Sequence, residues 1–310
     1  MDSVRIPGKV MLSGEYAVLY GGSAVLVPLK RYLYISRAAS RVDRTYSPVV
    51  QAALNIEIPA VADHEYDAGT PHIEIDRDEL MGTDSSGRQV KLGLGGSAAE
   101  AVGTVALRYE CAGLPWIKHW HDIAKLAHQA HQAAQEGLGS GADIAACAYR
   151  RPLLFRRENS SFATEAVPRP EGELEVPLAL IWTGRPADTR ALVRRFAAWH
   201  DEAAEAPELA AGLRERADDL AGLWFRAPVA DLLAAIDAFD DALKECCGKA
   251  GVAYQLPVHA RLSAWAKRHG GRAKPTGAGG GDMVLMVGDL PLHQLAEQLV
   301  IPLEPGEMWG

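Results

Sequence analysis

The sequence predicts an α+β protein organised in two parts. Residues 4–38 are rich in β-branched and apolar residues punctuated by Pro-Gly and Gly-Gly, which is typical of several strands joined by tight turns. Long Ala/Leu-rich helical stretches occupy roughly residues 189–245. Between them, residues 156–177 are polar and contain prolines and a glycine, which predicts a linker. We therefore expect two domains, residues 1–170 and 171–310.

The other elements follow in chain order. Residues 97–112 and 117–135 are predicted helices, and the first begins directly after a glycine turn. The apolar run "LALIWTG" predicts a buried strand. The last part of the chain predicts a helix, a glycine loop, a strand and a final helix, at 257–268, 277–281, 283–287 and 291–300.

Composition excludes several classes of function. The chain has 310 residues, of which 48% are hydrophobic and 23% charged, as in globular proteins. No apolar run is long enough to span a membrane, and the N-terminus does not resemble a signal peptide. The net charge of −8 argues against a general nucleic-acid-binding protein. Four irregularly spaced cysteines predict a reduced, cytoplasmic protein.

A cluster of histidines raises the alternative of a metal site. The segment "HWHDIAKLAHQAHQ" holds four histidines, and His128 and His131 are three residues apart on a predicted helix face. A zinc site needs further ligands at a definite spacing, and the segment offers none. Structural or surface roles are therefore favoured for His119, His121, His128 and His131.

The segment "VKLGLGGSAAEAV", residues 90–102, is the first indication of chemistry. Its glycines lead directly into an apolar helical run, and such turns often hold phosphates because backbone N–H groups and the positive helix end converge there. The common P-loop pattern, with its Gly-Lys-Ser/Thr ending, is absent from the chain. The segment therefore predicts a phosphate-binding loop of another type.

Three glycine-containing stretches together carry a family resemblance. They are "PGKVMLSGEYAVLYGG", "KLGLGGSAAEA" and "KPTGAGGGDM", and their order and spacing resemble those of the GHMP kinase superfamily. Within it, "GSGADIAA", "WTGRPADT" and the Asp282 that ends "TGAGGGD" look most like phosphomevalonate kinases. The resemblance implies a ribosomal S5 domain 2-like N-terminal domain and a ferredoxin-like C-terminal domain. It also implies ATP and Mg²⁺ as cofactors and an active site between the domains.

The resemblance assigns the second glycine stretch to the ATP phosphates. Glycines there let the backbone approach the phosphate oxygens closely. Ser97 matches the family serine that reaches the phosphates or Mg²⁺, whereas Gly96 replaces a serine of the usual motif. The predicted cofactor-binding residues are Gly93, Leu94, Gly95, Gly96, Ser97 and Ala98, with Ser97 also the predicted metal ligand.

The predicted catalytic residues are Asp143 and Lys9. Asp143, in "GSGADIAA", matches the family carboxylate that accepts or orients the proton of the attacking oxygen, and Lys9 its electrostatic partner. A helix N-cap is the alternative, compatible role for Asp143. The Mg²⁺-binding glutamate that mevalonate kinases carry eleven residues before the aspartate corresponds here to Gln132, a weaker ligand at most.

The implied acceptor is anionic 5-phosphomevalonate, whose phosphate calls for arginine or lysine. Candidates are Arg150 and Arg151, where a Gly-Gly is usual, and Arg185 and Arg190, which flank an Asp188 that replaces the usual serine. The predicted substrate-binding residues are Glu15, Ser140, Arg150, Arg185, Thr189, Gly279 and Asp282.

Two alternatives stay open at this point. A mevalonate kinase, with a hydroxyl acceptor, would use the same Asp143. A catalytically silent, metabolite-sensing relative is the alternative from another class, and the presence of Lys9, Ser97 and Asp143 together argues against it. The expected partner is a small-molecule substrate, with no nucleic acid and no membrane, and a homodimer is compatible with the sequence.

Overall fold

The fold is taken from a computed structural model of the chain. It describes residues 3–38, 45–59, 72–84, 86–137, 139–158, 161–166, 176–295 and 298–303. The mixed helix-and-sheet class predicted from the sequence is confirmed. The predicted domain boundary near residue 170 lies outside the described residues.

Antiparallel strands from the first half of the chain form one sheet. The strands are β1 (Ser3–Ser13), β2 (Ala24–Arg37), β3 (Ile73–Asp76), β6 (Leu153–Glu158) and β7 (Ser161–Ala166). Their order is β1-β2-β6-β7, and β3 also pairs with the long strand β2. A short hairpin of β4 (Met81–Thr83) and β5 (Gln89–Lys91) stands apart from this sheet.

The helices of the first half are α1 (Pro48–Asn55), α2 (Gly96–Cys111), α3 (Trp120–Ala134) and α4 (Ala142–Tyr149). Small residues let α2 lie close to the sheet, because a Cβ on Gly103 would be 2.8 Å from Ile35 Cδ1 and 3.1 Å from Ile6 Cγ1. A bulkier residue there would force the helix away from the strands. This packing fixes the helix whose first turn follows the glycine loop.

The described part of the second half contains a four-stranded antiparallel sheet and four helices. The strand order is β11-β8-β10-β9, from Val300–Leu303, Leu178–Trp182, Met283–Val287 and Arg272–Pro275. Both β8 and β10 are buried along their whole length, as their continuous apolar runs require. The helices are α5 (Thr189–Glu202), α6 (Ala206–Leu223), α7 (Val229–Lys249) and α8 (Pro257–Arg268).

Hydrogen bonds and apolar packing join the two halves of the chain. Trp224 Nε1 donates to Ser13 Oγ at 3.0 Å, and Tyr16 Oη donates to the Ala278 carbonyl at 2.8 Å. A single large apolar cluster contains residues from both sheets, including Leu12 and Leu285. The end of β1 and the glycine loop after β9 are therefore held against each other.

Two sequence predictions are wrong. The predicted linker 156–177 is wrong in its first part, where residues 156–158 belong to β6 and residues 161–166 form β7, because the two strands pair with each other as a hairpin. Residues 167–175 of the predicted linker lie outside the described residues. The predicted last helix, 291–300, is a 3₁₀ turn at Leu292–Leu295 followed by β11. Pairing with the buried strand β8 overrides the local helical pattern. No helix in the described part of the chain is long and apolar enough to cross a membrane.

Candidate active site

A cavity of about 560 Å³ lies where the two halves meet. It is lined by the end of β1, the glycine loop before α2, the start of α4, the start of α5 and the glycine loop after β9. Its size is that of a site for small ligands. Three stretches far apart in sequence therefore converge on one cavity, as the glycine motifs predict.

Lys9 and Asp143 form an ion pair in this cavity. Lys9 Nζ lies 3.0 Å from Asp143 Oδ1, and the lysine side chain is 8% exposed, whereas the aspartate is 42% exposed. Burial alone would lower the pKa of Lys9, but the Asp143 carboxylate more than offsets this and the pKa is raised. Lys9 is therefore a fixed positive charge with one carboxylate partner that still faces the cavity.

The alternative N-cap role of Asp143 is wrong. Gly141 occupies the N-cap position of α4 with no side-chain cap, and Asp143 lies in the first turn. A serine just before the helix makes the local side-chain hydrogen bond instead. Ser140 Oγ accepts a hydrogen bond from the Ala142 N–H at 3.2 Å. The Asp143 side chain is thus free of a capping role and pairs with Lys9.

Two glycines of the loop that lines the cavity have left-handed backbone conformations. Gly93 and Gly95 have φ of 76° and 84°, a region that glycine adopts without strain. A Cβ on Gly93 would be 2.5 Å from Asp282 Cγ, and a Cβ on Gly95 would be 2.8 Å from Lys9 Cγ. The loop is therefore packed directly against the two charged side chains, and its glycines are required by contact as well as by backbone conformation.

The loop residues Gly95, Gly96, Ser97 and Ala98 line the cavity at the start of α2. The first N–H groups of a helix have no partners within the helix, and the helix dipole adds partial positive charge there. An anion in the cavity would find these donors together with the Lys9 ammonium. The arrangement can hold phosphate groups without a P-loop lysine.

Ser97 contacts a histidine that the sequence argument did not select for this site. Its Oγ lies 3.0 Å from His131 Nε2, and the Gln135 side-chain nitrogen lies 2.9 Å from the same ring nitrogen. Burial lowers the pKa of His131, against the opposing effect of Asp143, so the ring is neutral at pH 7. Gln132, selected by counting eleven residues back from Asp143, does not line the cavity, whereas His131 and Gln135 do.

The residues present fit a Mg²⁺ ion that is carried largely by a nucleotide. No group of three or more His, Cys, Asp or Glu able to hold a metal occurs among the described residues. The Ser97 hydroxyl and the Asp143 carboxylate offer oxygen ligands at the cavity wall. Mg²⁺ commonly takes one or two protein ligands and completes its shell with phosphate oxygens and water.

Asp282 is a second carboxylate in the cavity, at a position with a φ of 53°. Its Oδ1 accepts a hydrogen bond from the Ala187 N–H at 3.1 Å. Burial raises the pKa of Asp282, although the Ala187 amide, Lys9 and Lys91 each oppose this. The residue links the loop after β9 to the loop before α5, next to Gly93 of the glycine loop.

Only some of the residues predicted to bind the substrate line this cavity. Glu15, Ser140, Thr189 and Asp282 line it, and so does Arg190. Gly279 does not, because it packs against Tyr254, whose carbonyl would be 2.4 Å from a Cβ there. Arg150, Arg151 and Arg185 do not line it either. Asp188 accepts a hydrogen bond from the Ala191 N–H at 3.1 Å and caps α5.

Sequence reasoning missed several charged residues of the site. Arg77 and Lys91 line the cavity beside the β4–β5 hairpin, and Arg77 pairs with Glu100 at 2.6 Å. Lys274 forms a fully buried ion pair with Glu15 beneath the cavity. The signal for Lys274 was present, since it begins the motif "KPTGAGGGD". The same signal was present for Lys91, which begins "KLGLGGSAAEA", whereas nothing local in the sequence distinguishes Arg77 from a surface residue.

Comparison with protein families agrees with this fold and cavity. Residues 34–151 match the family model of the GHMP kinases N terminal domain. This match covers less than half of the chain, and over that segment the predicted resemblance to the GHMP kinase superfamily is confirmed. That family consists of small-molecule kinases that use ATP, so phosphotransferase chemistry is supported at the family level.

Solved structures of similar fold cover nearly the whole chain. Streptococcus pneumoniae phosphomevalonate kinase in complex with phosphomevalonate and AMPPNP gives a TM-score of 0.77 at 18% identity, covering 96% of this chain and 95% of that one. The Lin0012 protein from Listeria innocua gives a TM-score of 0.73 at 21% identity, covering 97% of this chain and 99% of that one. Methanococcus jannaschii mevalonate kinase gives a TM-score of 0.67 at 18% identity, covering 97% of this chain and 96% of that one. No curated protein sequence matches the chain.

Replacing Gly95 with valine tests the glycine loop. A side chain there would strain a left-handed backbone and collide with Lys9, so we expect ATP affinity to fall by more than about 100-fold. Isothermal titration with a nonhydrolysable ATP analogue measures it. Gly96→Ser is the matched control, because a Cβ at Gly96 meets nothing within 4 Å. Unchanged affinity in the Gly95 variant would remove the loop from the phosphate site.

Proposed function

We propose that the chain transfers the γ-phosphoryl group of ATP to the phosphate of 5-phosphomevalonate, forming 5-diphosphomevalonate. The observation that carries the proposal is a single cavity that combines the Lys9–Asp143 pair, the glycine loop and Arg190. The likeness of fold to a phosphomevalonate kinase agrees with it. A cytoplasmic location and a homodimer remain predictions.

The nucleotide would occupy the side of the cavity nearer the β4–β5 hairpin. Leu80, Met81 and Val90 provide an apolar wall there, suited to a base, and the glycine loop follows directly after β5. The α2 N–H groups would bind the phosphates. Mg²⁺ bound to those phosphates, with Ser97 as a protein ligand, would supply charge neutralisation.

The acceptor phosphate would bind at the start of α5. Arg190 and Thr189 line the cavity there, and no carboxylate pairs with Arg190 in the described part of the chain. A phosphate buried without cations would be costly, and an arginine can bind two of its oxygens at once. The helix N-terminus adds donors of its own.

Lys9 and Asp143 would act on the transferred group. The transition state of phosphoryl transfer is loose, so catalysis depends on positioning and on neutralising charge. Lys9, held by Asp143 at 3.0 Å, would stabilise the negative charge of the transferred phosphoryl group. A phosphate acceptor is largely dianionic at neutral pH and needs little proton removal, so Asp143 would serve mainly to orient the acceptor and Lys9.

A coupled ADP-release assay tests the proposal. With ATP as donor, mevalonate, 5-phosphomevalonate, galactose and homoserine are compared as acceptors, and we expect kcat/KM to be highest for 5-phosphomevalonate. A preference for unphosphorylated mevalonate would replace the proposal with a mevalonate kinase. Nucleotide binding without ADP release for any acceptor would favour the silent relative.

Arg190→Ala tests the acceptor site. Charge-assisted hydrogen bonds to phosphate are worth roughly 1.5–3 kcal/mol, so KM for 5-phosphomevalonate should rise about 10- to 100-fold while KM for ATP stays unchanged. Arg185→Ala is the matched control, because it removes a neighbouring arginine that does not line the cavity. Equal effects of the two substitutions on KM would contradict the assignment of Arg190.

A further inference from the structure

A second cavity, of about 580 Å³, lies at the other end of α4. Its walls come from the first strands of the sheet, the 3₁₀ turn Trp116–Lys118 and the residues that end α4. None of its lining residues lines the candidate active site. Pro7 faces this cavity and Lys9 faces the other, with a shift of strand register between them.

The lining of this second cavity divides into an apolar part and a cationic part. Trp116, Ile117 and Trp120 form an apolar wall, and Ile117 is 51% exposed at its mouth. Arginines and Lys30 provide the charge, and no Asp or Glu in the described part of the chain lines the cavity. A site of this composition suits an anion that carries an apolar group.

Three guanidinium groups that line this cavity lie over aromatic rings. Arg5 lies 5.0 Å from the centre of the Tyr32 ring, Arg150 lies 5.4 Å from that of Trp116, and Arg151 lies 6.0 Å from that of Tyr149. None of these three arginines forms an ion pair with another described residue. A contact with the face of a ring leaves the N–H donors of each guanidinium available, which suits recognition of a phosphate.

Arg150 occupies a backbone position that normally favours glycine. It caps the C-terminus of α4 with a φ of 56° and ψ of 29°, in the left-handed region. Glycine is the usual residue at such a helix end because any Cβ is disfavoured there. An arginine at this position therefore carries a backbone cost, and its side chain reaches into the second cavity.

We propose that the second cavity binds a small organic phosphate, with the phosphate on Arg5, Arg150 and Arg151 and the apolar group against Trp116, Ile117 and Trp120. The site is separate from the nucleotide and the acceptor. It is built on β1 and α4, the elements that carry Lys9 and Asp143.

The test uses 1-naphthyl phosphate as the probe and isothermal titration of the full chain. We expect one saturable site that persists when a nonhydrolysable ATP analogue saturates the candidate active site. Inorganic phosphate lacks the apolar group and 1-naphthol lacks the charge, so each should bind at least about tenfold more weakly. Displacement of the probe by the nucleotide, or equal binding of inorganic phosphate, would overturn the proposal.

Arg150→Gly separates binding from folding. The substitution removes the guanidinium and also relieves the left-handed backbone, so the melting temperature should stay unchanged or rise. Affinity for 1-naphthyl phosphate should nevertheless fall at least about tenfold. Arg214→Ala, which removes an exposed arginine from α6, is the charge control and should leave affinity unchanged. Absence of probe binding to the wild type, or equal affinity in the Arg150 variant, would refute the site.

Discussion

Asp143→Asn is expected to lower kcat by about 100-fold or more while leaving nucleotide affinity within a few-fold of wild type. Asn keeps the size of the side chain and Asp143 is not the helix cap, so α4 should persist. What is lost is the carboxylate 3.0 Å from Lys9. Lys9 then remains buried without its counter-charge, and the orientation of both groups toward the transferred phosphoryl is relaxed.

The pH dependence of this variant provides a second readout. In the wild type, Asp143 overcomes the effect of burial and raises the pKa of Lys9, so the ammonium persists to high pH. Without Asp143, burial dominates and lowers the pKa of Lys9. The alkaline limb of the kcat profile should therefore move to lower pH in the variant.

The control is Asp188→Asn, which removes a carboxylate that caps α5 and is not part of the cavity wall. Asn caps a helix about as well as Asp, so kcat and stability should both be retained. Steady-state kinetics of the three proteins, with 5-phosphomevalonate as acceptor, decide the matter. If Asp143→Asn kept more than half of the wild-type kcat, the catalytic assignment would be withdrawn.

The glycine loop could be predicted because its requirements are local. Gly93 and Gly95 adopt left-handed backbone, and a helix follows directly, so the pattern of glycines and small residues is visible within a dozen positions. Lys9 and Asp143 were selected because their motifs resemble those of the GHMP kinases, and their catalytic role stays a prediction. Their pairing at 3.0 Å then follows from the fold that brings the motifs together.

The neighbours of Ser97 could not be predicted by counting residues. The choice between His131 and Gln132 depends on the rotation of α3 about its axis and on the path of the chain into α4. A difference of one residue turns a helical side chain by roughly 100°, which is enough to leave the cavity. His131 faces Ser97 and Gln132 does not line the cavity.

Arg150, predicted to bind the substrate, lines the second cavity and not the candidate active site for a related reason. It follows Asp143 by seven residues, which is about 10 Å along an α-helix. Although Arg150 is near Asp143 in sequence, it therefore lies at the opposite end of α4, beside Trp116. The same applies to residues 291–300, where the partner strand β8 decides the structure and the local pattern does not.

The buried pair of Glu15 and Lys274 links the turn after β1 to β9 and is expected to govern stability. The side chains are 0% and 1% exposed, and Lys274 Nζ also donates to the Pro275 carbonyl at 3.1 Å. Phe239 lies beneath the ammonium, with its ring centre 5.7 Å away. Burial raises the pKa of Glu15, and the nearby Lys274 opposes this.

Lys274→Met should therefore lower the free energy of unfolding by about 3–5 kcal/mol at neutral pH, because it leaves a buried carboxylate without its counter-charge. Urea denaturation measures the loss. Without Lys274, the folded-state pKa of Glu15 rises further above its unfolded value. Stability of the variant then falls as pH rises between those two values, so its deficit should be smaller at pH 5 than at pH 8. The double variant Glu15→Gln/Lys274→Met should recover part of the stability, since a neutral amide is cheaper to bury than a charge. A loss below about 1 kcal/mol, or one that does not change with pH, would mean that this pair does not hold the two sheets together at the cavity floor.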